Sequence, residues 1–225
     1  MSGGGRMSRA VNFIHIPKNA GTSMGNVCAN SNGILIHHGH GADVRNIPNQ
    51  LIVIRNPVER FISAFKYAKL IFEVVVFTDD DEEDDTPENW IRVWRDHEHP
   101  RHAALMNEMM NDAGGREPHK IGDTILEYKW TYTPQSHWIE PTKVKYVVLY
   151  DCFELEMKHI LNDLGVDDNL PYANNSGDEH YELSQESIEF LRFRYADDFR
   201  YYEKIKKTST DEIDNHYPLL LHPFV

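Results

Sequence analysis

Apolar residues in this chain follow two rhythms. Short unbroken runs alternate with longer stretches in which apolar positions recur every three or four residues. The run over 10–16, AVNFIHI, is rich in β-branched and aromatic residues and stops at Pro17, which predicts a buried strand. A helix follows to about Asn30, with Thr22 or Ser23 as its cap. Residues 33–37 predict a second strand, and 50–55, QLIVIR, a third. The third is almost wholly apolar, as a parallel strand covered on both faces should be. From Pro57 the spacing of Val58, Phe61, Ile62 and Phe65 predicts a helix. Further helices are expected over 90–96 and 100–112, and a last strand over 143–151. An amphipathic helix then ends at Gly165, and Ser184, with Glu186 and Glu189 behind it, opens one long helix to about Lys207. Strands alternating with helices predict an α/β domain of three layers, a central, mostly parallel sheet flanked by helices.

No internal repeat or linker interrupts this pattern, so residues 10–225 read as one domain behind a flexible tail over 1–9. The run TDDDEEDDTPEN, 78–89, reads as an acidic surface loop. The 225 residues carry a formal net charge of -13, with 40 % hydrophobic and 26 % charged residues. That balance argues against nucleic acid or an anionic membrane as the main partner. The two cysteines, Cys28 and Cys152, form no CxxC pair, so they indicate no zinc or redox motif; free thiols or one disulfide remain open. No apolar run reaches the roughly 18 residues that span a bilayer, and the first ten residues lack the apolar core of a signal peptide. A soluble protein is expected.

The segment PKNAGTS, 17–23, joins the first strand to its helix. Strand, turn and helix start together make an anion-binding design. Gly21 lets the backbone approach a ligand, helix amides and dipole favour negative charge, Lys18 adds a cation, and Thr22 and Ser23 add hydroxyls. The plainer alternative is an ordinary turn with an exposed lysine. A nucleotide-triphosphate loop would read GxxxxGK[ST]; here the lysine precedes the glycine and the loop is shorter, which points to a smaller anion held without metal.

HIPKNAGTS, 15–23, resembles the 5′-phosphosulfate-binding motif of sulfotransferases that use 3′-phosphoadenosine 5′-phosphosulfate (PAPS), with Asn19 where threonine is frequent. RNPVERFIS, 55–63, resembles the 3′-phosphate motif of the same family. PQSHWI at 134–139, LPYANNS at 170–176 and YADDFRYYEKI at 195–205 are similar to its later segments. The resemblance implies a P-loop-like domain that binds PAPS, releases 3′-phosphoadenosine 5′-phosphate (PAP) and needs no metal. It implies cofactor contacts from Lys18, Asn19, Ala20, Gly21, Thr22 and Ser23 at one end, and from Arg55 and Ser63 at the other, with Asn174 and Ser176 nearby. Arg60 is either a third phosphate ligand or a surface ion pair.

In such a transfer Lys18 meets charge on the leaving oxygen, and a histidine takes the acceptor proton. HGH, 38–40, is similar to the motif of the heparan sulfate 2-O-sulfotransferase branch. That similarity implies His40 as base and His38 as an orienting or sharing partner. Plain loop histidines, or a metal cluster with His37, are the other readings of this segment. His15, inside the first strand, reads as a packed or hydrogen-bonded residue. The acceptor is expected to be a hydroxyl of a glycan or small molecule, neutral or cationic because the acidic run repels heparin-like chains. Trp90, Trp94, Trp130 and Trp138 either stack on sugars or pack in the core. Animal members of the family are usually Golgi membrane proteins. The chain shows no such anchor, so a cytoplasmic bacterial or viral relative is expected, and a Golgi lumen only if an anchor was removed. The competing functions are a nucleotide kinase of related fold and a catalytically silent nucleotide-binding module.

Overall fold

The computed structural model describes residues 10–77, 84–110, 118–167, 170 and 179–212, without the side chains of 71–72 and 209–212. Four strands make the central sheet: β1 (Val11–Ile14), β2 (Leu35–His38), β3 (Gln50–Ile54) and β6 (Val144–Leu149). Their order is β2-β1-β3-β6 and every pairing is parallel. β3 is buried at all five positions, which accounts for its unbroken apolar run.

Alternation along the strands sends side chains to two cores. Phe13 and Val53 meet Met24 and Val27 of α1 (Gly21–Asn30) and Met157 and Leu161 of α5 (Phe153–Leu164). Ile14 and Ile52 on the opposite face meet Trp138 and the Tyr202 and Ile205 side chains of α7 (Ala196–Glu212). A third core beside the sheet joins α2 (Pro57–Phe72), α3 (Pro87–Arg95), α4 (His102–Met109) and α6 (Gln185–Arg194) around Phe65, Trp90 and Leu105.

Local chemistry explains the element ends. Asn56 caps α2 by accepting from the Val58 N–H at 2.9 Å, with Pro57 in the first turn. Gly165, at φ 68°, ends α5 in the left-handed conformation.

Several expectations need correction. The long helix after Ser184 is two helices. Ser184 does cap α6, but the chain breaks at Tyr195, whose buried hydroxyl donates to the Tyr132 carbonyl at 2.9 Å. Neither Thr22 nor Ser23 caps α1; they lie within its first turn, and Ala20 occupies the cap position with no side-chain bond. The second strand extends one residue further than expected, so His38 belongs to β2 and not to the turn after it. The acidic loop ends early, because Thr86 caps α3 and Asp85 accepts from Trp90 Nε1 and Lys69 Nζ. A two-residue hairpin, β4 (Lys120–Ile121) with β5 (Thr124–Ile125), was not expected. Both cysteines are free. Among the described residues no helix is long and apolar enough to cross a membrane.

Candidate functional site

The chain passes from β1 outward to β2, then returns past β1 to β3. This makes the β1–β3 boundary a switch point, and ligands of open parallel sheets collect outside the carboxyl ends of strands there. Two loops leave the sheet at that place. The first carries Lys18 and the second Arg55, and Arg55 Nη1 donates to the Lys18 carbonyl at 3.3 Å. The two loops therefore meet at the carboxyl rim, where an open sheet has its crevice.

The Lys18 turn is held in an unusual shape. Lys18 and Ala20 both have positive φ, 68° and 58°, a conformation that costs a non-glycine residue about 1–2 kcal/mol. Turns of this kind aim successive amides into a concavity suited to anions. Lys18 Nζ lies 4.0 Å from the centre of the Tyr67 ring. Burial, with Arg55 and Arg60 close by, lowers its pKa to about 8. Among the described residues no carboxylate pairs with it. The Arg55 guanidinium stacks 4.3 Å from the Tyr150 ring, and Glu59 Oε2 is 4.0 Å away.

A buried network ties the two loops together. Asn19 is 0 % exposed, and its Nδ2 donates to the Val53 carbonyl and to Gln135 Oε1, each at 2.8 Å. Asn19 thus braces the turn with its side chain facing inward. Gln135, also 0 % exposed, accepts from the Arg55 N–H at 3.3 Å and donates to the Arg55 carbonyl at 2.8 Å. Asp198, at the start of α7, accepts from the Gln135 and Ser136 amides at 2.7 and 2.8 Å. Arg60 is 3 % exposed and donates to the carbonyls of Pro17 and Trp130 at 3.0 and 3.3 Å. It is neither a surface ion pair nor turned to the crevice through those contacts: it fastens the first loop to the core. Asp198 opposes the cost of burying that charge. Gln135 and Asp198 were missed as organising residues. The only sequence signal was that the segments holding them resemble late family segments.

The histidines separate by the pleat. His15 and His37 lie on the Phe13 face, where His37 Nε2 and His15 Nδ1 are 3.2 Å apart. His38 turns to the other face, with Nε2 2.8 Å from Asn12 Oδ1, and so stands apart from His15 and His37. His40 comes edge-on to His15, ring centres 4.1 Å apart, and is backed by Trp130 at 5.0 Å. Burial, reinforced by neighbouring imidazoles, lowers the pKa of His40 to about 3; burial, His37 and Lys18 lower that of His15 to about 4. The space above Gly21 is taken by His15: a Cβ on Gly21 would lie 1.5 Å from His15 Nε2. Glycine is thus needed here for the imidazole of His15.

Of the remaining expected contacts, Thr22 is exposed, Ala20 is half-buried, and Ser23 and Ser63 are buried. Asn174 and Ser176 lie outside the described residues. Trp90, Trp94 and Trp138 are core residues, while Trp130 is half-buried between the His40 and His119 rings. Among the described residues no group of three or more His, Cys, Asp or Glu is arranged to hold a metal. Three of the buried side-chain atoms without a hydrogen-bond partner belong to these loops: Asn19 Oδ1 and Arg55 Nε beside the two cations, and His40 Nε2 beside His15. Buried polar groups are normally paired, so these mark a place where polar partners are wanting. Comparison with protein-family models, with curated proteins and with solved structures returns no match.

Proposed function

We propose that this chain is a PAPS-dependent O-sulfotransferase of P-loop-like fold, moving a sulfuryl group to a hydroxyl acceptor, with a carbohydrate as the expected acceptor class. The observation that carries the reading is the meeting of Lys18 and Arg55 in one crevice at the switch point of the sheet. A donor with phosphate at both ends needs two cationic loops at one rim, and the two sequence motifs supply them. The donor set fits. Lys18 has no carboxylate partner among the described residues, α1 begins without a side-chain cap, and Arg55 Nε is unpartnered.

In this reading Lys18 and the first amides of α1 hold the 5′-phosphosulfate, and Lys18 neutralises charge on the leaving phosphate oxygen. Arg55 grips the 3′-phosphate, with Ser63, Asn174 and Ser176 as further contacts. A histidine takes the acceptor proton; His40 is the one implied by the HGH motif. Sulfate esters carry less charge than phosphates, so a lysine and amides suffice without magnesium. The low basicity of His40, about 3, favours a second reading, a nucleotide-binding module without catalysis.

Calorimetry with PAP, and labelled-sulfate transfer from PAPS to a panel of glycans and small alcohols, test both. PAP should bind the wild type, and Arg55→Ala should weaken it by about 2–4 kcal/mol, the scale of a charge-assisted pair. Binding without transfer supports the silent module. Absence of PAP binding defeats both.

A further inference from the structure

We infer that His15, oriented by His37, is the catalytic base that receives the acceptor proton. This rests on the sulfotransferase reading. Four observations lead to it. His15 Nε2 lies against Gly21 at the first turn of α1, where the sulfuryl end of the donor is proposed to sit. Lys18 acts on His15 directly, while it is absent from the charges that act on His40. His15 Nδ1 is 3.2 Å from His37 Nε2, so a second group orients the ring, and with Nδ1 as donor to His37 the Nε2 atom is left free to accept a proton. His37 is exposed on the edge strand, which gives the proton a way out to water.

His40 is placed otherwise: half-buried and edge-on to Trp130, it has its Nε2 buried without a partner and its carbonyl held by Trp138 Nε1 at 2.7 Å. It supports the His15 ring edge-on. The groups facing His15 are Lys18 from the turn, His37 from β2 and His40 from the loop after β2. With them it stays neutral at pH 7 but weakly basic, so it takes the proton only as its basicity rises. An arriving phosphosulfate brings negative charge and raises the basicity of His15. In the step, the acceptor oxygen bonds to sulfur as its proton passes to His15 Nε2. The bond from sulfur to the 5′-phosphate breaks, and its electron pair leaves on the phosphate oxygen beside Lys18.

The test uses the full chain. His15→Gln should lower kcat by roughly 100-fold or more while PAP affinity stays within about threefold. In His15→Gly, free imidazole should restore at least about tenfold of the lost rate, in proportion to its neutral form, which a packing role would not require. Independently of turnover, imidazole NMR should show PAP raising the pKa of His15 by about one or more. A His15→Gln enzyme within about tenfold of wild-type kcat overturns the assignment, as does a His15 resonance unmoved by PAP. A wild-type chain that neither binds PAP nor transfers sulfate overturns the parent reading instead.

Discussion

Replacing Gln135 by leucine keeps the side-chain volume close to constant while removing three hydrogen bonds: Asn19 Nδ2 to Oε1 at 2.8 Å, the Arg55 N–H to Oε1 at 3.3 Å, and Nε2 to the Arg55 carbonyl at 2.8 Å. No cavity term enters, so the cost is that of the lost bonds and the polar groups they leave behind. At about 1 kcal/mol net for each bond, rising where a buried partner is stranded, the loss should be about 3–4 kcal/mol. For a domain of this size that corresponds to roughly 6–16 °C in Tm. Urea unfolding followed by tryptophan fluorescence reads it directly, because Trp90 and Trp138 are fully buried. The control is Gln185→Leu at an exposed position of α6, where one bond to Glu189 at 3.1 Å is lost and a change within about 0.5 kcal/mol is expected. A Gln135→Leu loss below about 1 kcal/mol, or one equal to the control, would show that Gln135 does not fasten the two loops.

Gly21→Ala should destabilise by about 1–3 kcal/mol, because its Cβ would fall 1.5 Å from His15 Nε2. Adding His15→Ala should recover part of that loss, giving a coupling of at least about 1 kcal/mol in a double-mutant cycle; strict additivity refutes the contact. Burial raises the pKa of Glu156 to about 7 from 4.5, although its Oε2 accepts from the Leu149 N–H at 2.7 Å. The folded state then holds the proton more tightly, so its contribution is present below pH 4.5 and lost as pH rises through 7. Glu156→Gln, which keeps an acceptor oxygen, should be more stable than wild type at pH 8 and lose that advantage by pH 4.5; parallel pH profiles count against it. For Lys18 the sign reverses. With the folded pKa lowered to about 8 from 10.5, the unfolded chain binds more protons between those values, so wild type should gain stability relative to Lys18→Met as pH rises across that window. Chemical denaturation of both chains at pH 7.5 and 10.5 measures the difference, and an unchanged gap removes the claim that the ammonium is buried.

The parts of the fold that were legible in the sequence are those governed by local chemistry. The apolar run of β3, the Asn56–Pro57 start of α2 and the Gly165 end of α5 each carry their signal within a few residues. The Lys18 and Arg55 loops were readable because each follows such a run. The rest depended on contacts across the chain. Helical periodicity runs on through Tyr195, and the break there coincides with a bond to Tyr132, 63 residues earlier. Arg60 has the spacing of a surface residue, yet the carbonyl of Pro17 draws it inside. Gln135 lies 80 residues from Arg55 and 63 from Asp198, and no local pattern announces such pairs. His38 looked like a turn residue because short polar strand ends and turns share their composition. Only the ladder to β1 puts His37 and His38 on opposite faces.

That ladder has a dynamic consequence. Among the described residues β2 is an outer strand, joined to the sheet by four residue pairs with β1 alone. His37 stands on it, and His40 follows directly after it. Releasing β2 requires fraying a single short seam, while β3 is held on both sides. Amide hydrogens of Leu35–His38 should therefore exchange with deuterium through a low-energy opening, well before those of Gln50–Ile54, and each opening would pull the histidine edge of the crevice away from its cationic edge.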